Sequence, residues 1–222
     1  MVIYRGVKLT LNSEPTRFKS KRNTVLLCDG VIEKHYSSVE MAAFEARELR
    51  RLKTLGFLRV PEVVELSGAV LKMQYIPGDT LPDIIAHSEN SSASISAETI
   101  VDSLVGWLRE FYRAVDTDIT GEIRGDVNGR NFIFDGTYCW SVDFEEKIYG
   151  VKEQDIGRLM AFILTYDPAG TSVKKELAEM LLKLAVREIQ VEVEEIFRWR
   201  DLELQAMMRR RTKIPLAHLN NL

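Results

Sequence analysis

The sequence is poor in cysteine, histidine and proline, with 2, 3 and 6 of each among 222 residues. Cys28 and Cys139 each fall in an apolar, strand-like run and lack metal-site spacing, which argues against a disulfide framework and a thiolate metal centre. His35, His87 and His218 are scattered and form no ligand pattern. No apolar run approaches the roughly 20 residues that a bilayer span needs. The opening MVIYRGVKLTLNSEP lacks the basic, apolar, small-residue order of a secretion signal, so a soluble cytoplasmic protein is expected. A glycine-rich phosphate loop, a serine-hydrolase elbow and a dinucleotide-binding fingerprint are missing as well. Neither sign of charge dominates: a net charge of −3 and a pI near 5.8 argue against a nucleic-acid partner, although FKSKR (18–22) and RRRTK (209–213) are locally basic.

What is present suffices for a packed core, at 45% hydrophobic and 28% charged residues. The first third reads as strands VKLTL, TVLLCD and VIEKHY, the last two joined by the turn signal Asp29-Gly30. A helix is expected from Ser37 or Ser38 to about Gly56, then strands VPEVVEL and AVLKMQYI. The prolines and glycine of IPGDTLPD (76–83) mark a boundary between an amino-terminal lobe, 1–76, and a mainly helical carboxy-terminal lobe, 77–222. HSENSSASISAE (87–98) reads as a loop, with Ser96 capping a helix to about Ala114. NFIFDGTYCWSVDF reads as a β-hairpin, whereas EQDIGRLMAFILTY and the long stretch from about Ser172 to Arg211 have helical periodicity.

Chemistry concentrates in RGDVNGRNFIFDG (124–136). Asp126 and Asn131 are either reacting groups or turn formers ahead of a strand, and their spacing alone does not decide. The hairpin adds weight, because it returns Asp143 to within a residue or two of Asn131. Such oxygen-bearing side chains suit Mg²⁺, a hard cation that often shares its shell with phosphates. Asp126 could then take the proton of an attacking hydroxyl. Lys34 ends the strand VIEK, and its ammonium could face nucleotide phosphates if a carboxylate holds it. Helical spacing at ~100° per residue places Glu45 inside the apolar stripe of Ala42, Ala46, Leu49 and Leu52, with Glu48 at its edge. A charge on a buried stripe requires a partner, which is Lys34 or a surface base such as Arg22 or Lys53, unless Glu45 reaches solvent.

In chain order, VIEK, FEARELRRLKTLG, VPEV, LKMQYIPGDTL, RGDVNGRN and VDFEE resemble the atypical protein-kinase-like superfamily: aminoglycoside and choline phosphotransferases, lipopolysaccharide core kinases, and Bud32- and RIO-like small kinases. The resemblance spans about residues 15–165. It implies an α+β, two-lobed fold with a small antiparallel sheet and one helix in the first lobe, and a catalytic β-hairpin in the second. It further implies ATP and Mg²⁺ as cofactors and an ion pair of Lys34 with Glu45 that holds phosphate. Gln74, Tyr75 and Ile76 would meet adenine, Asp126 would be catalytic, Asn131 and Asp143 would bind metal, and Asp155 would support the catalytic loop or simply favour a helix N-terminus.

Departures from that pattern are specific. The hairpin RFKSKRNTV replaces the glycine-rich loop and would set Ser20, Lys21, Arg22 and Asn23 over the phosphates. Arg124 stands where a histidine is often found, with phosphate, a carboxylate or solvent as its partner. VDFEE lacks the usual terminal glycine, and the short span from Asp143 to Asp155 leaves no room for a long activation segment. The expectation is an ATP-dependent kinase transferring the γ-phosphate to a hydroxyl of a small molecule, glycan or protein. The alternative is a catalytically weak or inactive kinase-like module that binds nucleotide or a protein partner, with the apolar stretch 177–208, most of it core, also offering contact surface.

Overall fold

The computed structural model describes residues 15–18, 20, 22–90, 97–118 and 120–212. The expected strand VKLTL, residues 91–96 with Ser96, Lys21, and the end of RRRTK lie outside the described residues. The fold is α+β and two-lobed. A five-stranded antiparallel sheet in the order β1-β2-β3-β5-β4 is built from β1 (Thr16–Phe18), β2 (Thr24–Cys28), β3 (Val31–His35), β4 (Val63–Ser67) and β5 (Val70–Gln74). Asp29 and Gly30 turn β2 into β3 with φ of 48° and 81°, the pair of positive angles that a tight hairpin needs.

Helix α1 (Val39–Thr54) connects β3 to β4. Ser38 caps it, its side chain accepting from the Met41 amide at 3.3 Å. Its buried face comprises Ala42, Glu45, Ala46, Glu48, Leu49 and Leu52, so two carboxylates lie on a stripe otherwise apolar. Only helical spacing brings these residues to one side.

After the sheet come β6 (Asp79–Thr80), α2 (Leu81–Asn90), α3 (Ala97–Ala114), β7 (Gly121–Ile123), β8 (Phe132–Phe134), β9 (Cys139–Ser141), β10 (Ile148–Gly150), α4 (Lys152–Thr165), α5 (Ser172–Ile189) and α6 (Val193–Thr212). Three features differ from the sequence expectation. Helix α2 includes His87–Asn90, which had read as loop, and Pro82 sits in its first turn, where a missing N–H costs nothing. The stretch after Ser172 is two helices, broken where Gln190 adopts a left-handed φ of 60°. Short strands β7 and β10 also pair, joining Ile148 to Ile123 across the chain.

The expected hairpin is formed by β8 and β9 in the register Phe132↔Ser141. Most apolar side chains of α5 face inward, with Leu177, Ala178, Leu181, Ala185 and Ile189 buried. Gly157 of α4 lets α6 approach closely, since a Cβ there would stand 2.5 Å from the Ile196 carbonyl oxygen. The apolar stripe of α5 is therefore largely core, as expected, while Leu202 and Met208 of α6 are exposed. Among the described residues, no helix is long and apolar enough to cross a membrane.

Candidate active site

Strand β3 directs Lys34 inward, and α1 directs Glu45 at it. Lys34 Nζ lies 2.8 Å from Glu45 Oε2, 2.5 Å from Asp143 Oδ1 and 2.7 Å from Glu145 Oε1. Glu45 is fully buried and Lys34 nearly so, which excludes Arg22, Lys53 or solvent as the partner of Glu45. Burial alone would drive the ammonium to lose its proton, but Glu45 and then Asp143 outweigh it and hold the Lys34 pKa above its ordinary value. Glu45 has further partners: the Tyr36 hydroxyl donates to Oε2, and the Phe144 amide donates to Oε1 at 3.0 Å. That last bond ties α1 to the segment carrying Asp143.

Asp143 adopts a left-handed φ of 70°, a backbone state that aspartate tolerates better than most residues. The Val142 amide donates to the Asn131 carbonyl at 3.0 Å, so Asp143 stands one residue beyond the position opposite Asn131. Burial would raise the Asp143 carboxyl; Lys34 reverses this and holds it below the usual aspartate range. Burial instead raises the Glu145 carboxyl, with Asp143 and Glu45 adding to the effect and Lys34 opposing it. Oxygen atoms of Glu45, Asp143 and Glu145 lie within 4.8 Å of one another.

Asp126 is exposed between the buried Gly125 and Val127, in the segment that joins β7 to a 3₁₀ turn at Gly129–Asn131. Asn131 is buried, and its Nδ2 donates to the Asp126 carbonyl at 3.2 Å, which fixes the carboxamide orientation and leaves Oδ1 as its acceptor end. With Asp143, this is an all-oxygen donor set of the kind a hard divalent cation takes, so the residues fit magnesium.

The loop is held from behind. Asp155, fully buried in the first turn of α4, accepts from the Arg124 amide at 2.7 Å, the Gly125 amide at 2.9 Å and the Tyr112 hydroxyl at 2.9 Å. Burial pushes its pKa up to about 6 even though these donors favour the anion. Arg124 is buried too. It donates to Ser141 Oγ at 3.0 Å and to the carbonyls of Val142 and Asp143 at 2.6 and 3.0 Å, and lies 4.3 Å over the Phe144 ring. Its partners are thus Ser141 and the backbone of the segment carrying Asp143 rather than phosphate or solvent. Gly125, at φ 73°, packs so closely on Ile148 that a Cβ would stand 2.4 Å from its Cδ1.

Of the remaining sequence-predicted residues, Arg22 and Asn23 reach the Lys34 cluster through Glu145, and Gln74 ends β5. Ser20 is exposed, and its hydroxyl accepts from the Asn23 amide at 3.3 Å. Arg22 is also exposed, with its guanidinium 4.0 Å from Glu145, while Asn23 is buried and donates through Nδ2 to Glu145. Gln74 exchanges hydrogen bonds with Glu62, Tyr75 stacks on Phe18 with centroids 6.5 Å apart, and Ile76 is buried.

Sequence reasoning missed Tyr36, Tyr112, Glu145 and Tyr166. Tyr36 was accessible through its i, i+2 spacing from Lys34 on one strand face. Tyr166, just past α4, had no local signal; its hydroxyl accepts from the Gly129 amide at 3.0 Å and lies 3.3 Å from Asn128 Oδ1.

Residues 13–160 match the family model of the RIO domain. The chain belongs to the RIO domain family. Among solved structures, this RIO-domain chain is similar to aminoglycoside phosphotransferase APH(3'')-Id from Streptomyces rimosus, at 13% identity, with 86% of this chain and 91% of that one covered and a TM-score of 0.59. It is also similar to amicoumacin kinase hAmiN in complex with AMP-PNP, Ca²⁺ and Ami, at 14% identity, 89% and 81% coverage and a TM-score of 0.54. The gentamicin complex of APH(2")-IIa gives 13% identity, 83% and 93% coverage and a TM-score of 0.53. Identities this low speak to the two-lobed kinase-like fold alone. No curated protein sequence matches the RIO-domain chain.

Proposed function

We propose that this RIO-domain protein is an ATP-dependent phosphotransferase that moves the γ-phosphate to a hydroxyl group. The observation that carries this reading is the buried junction of Lys34 with Glu45 and Asp143, which joins β3, α1 and the segment after β9 in one charged cluster. A buried ammonium held by carboxylates is stable in place and can turn toward incoming phosphates without a large rearrangement.

In this reading residues 1–76 form the nucleotide-binding lobe and 77–222 the catalytic and acceptor-binding lobe. Gln74, Tyr75 and Ile76 border adenine, and Ser20, Arg22 and Asn23 border the phosphates. Asp126, exposed at the tip of a loop anchored from behind, orients the acceptor hydroxyl and accepts its proton. Asn131 and Asp143 would hold Mg²⁺, which when bound supplies positive charge to the β- and γ-phosphates. Lys34 contributes a fixed positive charge, and Glu45 keeps it in place. The acceptor assigned is a small-molecule or glycan hydroxyl, slightly ahead of protein.

Calorimetric titration of AMP-PNP with Mg²⁺ into wild type and Asp143→Asn tests the reading. Binding by wild type that is lost in the variant is expected. No binding by wild type at millimolar nucleotide would shift the protein to the class of kinase-like partner-binding modules.

A further inference from the structure

Glu145 stands where the metal segment departs from its glycine-ended form, and it engages groups that the proposed function assigns to phosphate. Its Oε1 is 2.7 Å from Lys34 Nζ and accepts from Asn23 Nδ2, and its Oε2 is 4.0 Å from Arg22. Carboxylate and phosphoryl oxygens seek the same charged and amide donors. The Glu145 side chain is 14% exposed, so it lies in the cleft rather than at its rim. Lys34 already serves Glu45 and Asp143, which leaves one ammonium among three carboxyl groups.

We propose that Glu145 is an internal competitor for the nucleotide's phosphates and thereby sets the dependence of nucleotide binding on divalent cation; this inference rests on the nucleotide-binding reading above. A polyphosphate entering alone must displace Glu145 from Lys34 and Asn23 while repelled by Asp143. A divalent cation entering with it supplies the positive charge that the carboxylates lose when Lys34 turns to phosphate. The metal complex is therefore the form that enters. Asn23 fits this exchange of partners: it is 8% exposed, its Nδ2 is taken by Glu145, and its buried Oδ1 has no hydrogen-bond partner among the described residues. The arrangement around Glu145 thus leaves one buried acceptor unsatisfied, which lowers the cost of leaving it. Apparent affinity is the intrinsic affinity reduced by the fraction of molecules in which Glu145 is already displaced.

The experiment is calorimetric titration of AMP-PNP, with Mg²⁺ and separately with EDTA, into wild type, Glu145→Gln, Glu145→Ala and Glu146→Gln. Glu146 is exposed, so its variant removes the same charge one residue away and reports the effect of net charge alone. In EDTA, both Glu145 variants are expected to bind at least about tenfold more tightly than wild type and Glu146→Gln. Their ratio of affinities with and without Mg²⁺ should fall by about the same factor. Thermal unfolding of each variant verifies that the folded chain is being titrated, and Glu145→Ala removes any residual bond that a glutamine would keep with Lys34. Wild type that binds the magnesium complex, with Glu145 variants no tighter in EDTA, overturns the inference and leaves the nucleotide reading standing. No binding of the magnesium complex by any of the four proteins overturns the nucleotide reading and the inference with it.

Discussion

The two ends of the proposed site, one assigned to phosphate and one to the acceptor, are built by opposite means. At the phosphate end, charge is packed inside: Lys34 and Glu45 are buried, and Asp143, Glu145, Tyr36 and Asn23 close around them. At the acceptor end, Asp126 is exposed, and the buried groups lie behind it, where Asp155 grips two loop amides and Arg124 grips two carbonyls of the metal segment. The difference follows from what each end has to do. A group that always meets phosphate can be locked in advance by ion pairs. One that meets an acceptor must stay open to it, and rigidity is transferred to the loop's rear face.

The comparison breaks most sharply if the two ends are mutated separately. Asp126→Asn is expected to lower ATP turnover, read as ADP release, by about 10²–10⁴-fold, the range for loss of a general base. Its unfolding free energy from urea denaturation should hold within about 0.5 kcal/mol, since an exposed side chain with one local bond from the Asn128 amide carries little stability. A large fall in stability would show that Asp126 is a structural turn residue. Lys34→Met should also lower turnover but, unlike Asp126→Asn, lower the unfolding free energy by about 3–5 kcal/mol, because removing one partner leaves Glu45, Asp143 and Glu145 facing one another. An unchanged midpoint in that variant would mean that the cluster does not bind the lobes together.

These contrasts also decide what could be seen in the sequence. Glu45 was legible because it interrupts an apolar stripe at helical spacing, and Asp143 because the hairpin returns it beside Asn131. Both signals are local periodicities, of 3.6 and 2 residues. The acceptor end depends on contacts that span the chain: Tyr112 and Asp155 belong to different helices, and β7 meets β10 through strands of three residues each. No periodicity announces such meetings. The break between α5 and α6 was hidden for another reason, since Gln190 takes a left-handed conformation for which glycine or asparagine is the usual sign. Helix α2 was obscured by Pro82, which a first helical turn accepts.

A smaller effect sharpens the comparison through pH. Burial lifts Asp155 from 3.8 to about 6, so the folded chain holds this proton more tightly than the unfolded chain does. The resulting stability is fully present below about pH 4 and is lost as pH rises through about 6, amounting to about 3 kcal/mol. Asp155→Asn cannot titrate, so the stability of wild type relative to this variant should decline between about pH 4 and pH 6. Chemical denaturation of both proteins across that window measures it. A flat difference would mean that the amides of Arg124 and Gly125 and the Tyr112 hydroxyl keep the carboxylate ionised throughout.

The finest separation of the two ends rests on Tyr166. Its hydroxyl accepts from the Gly129 amide and lies beside Asn128 Oδ1, so it touches the loop that carries Asp126 but none of the groups around Lys34. Tyr166→Phe removes these bonds and keeps the ring, which should cost about 1 kcal/mol of stability. Loosening of the loop should lower turnover several-fold while the affinity for magnesium AMP-PNP stays within about twofold, since a positioning residue at the acceptor end acts on the reacting geometry alone. If nucleotide affinity falls in parallel with turnover, the loop and the Lys34 cluster move as one body, and the Val142–Asn131 and Phe144–Glu45 bonds that span them couple the two ends.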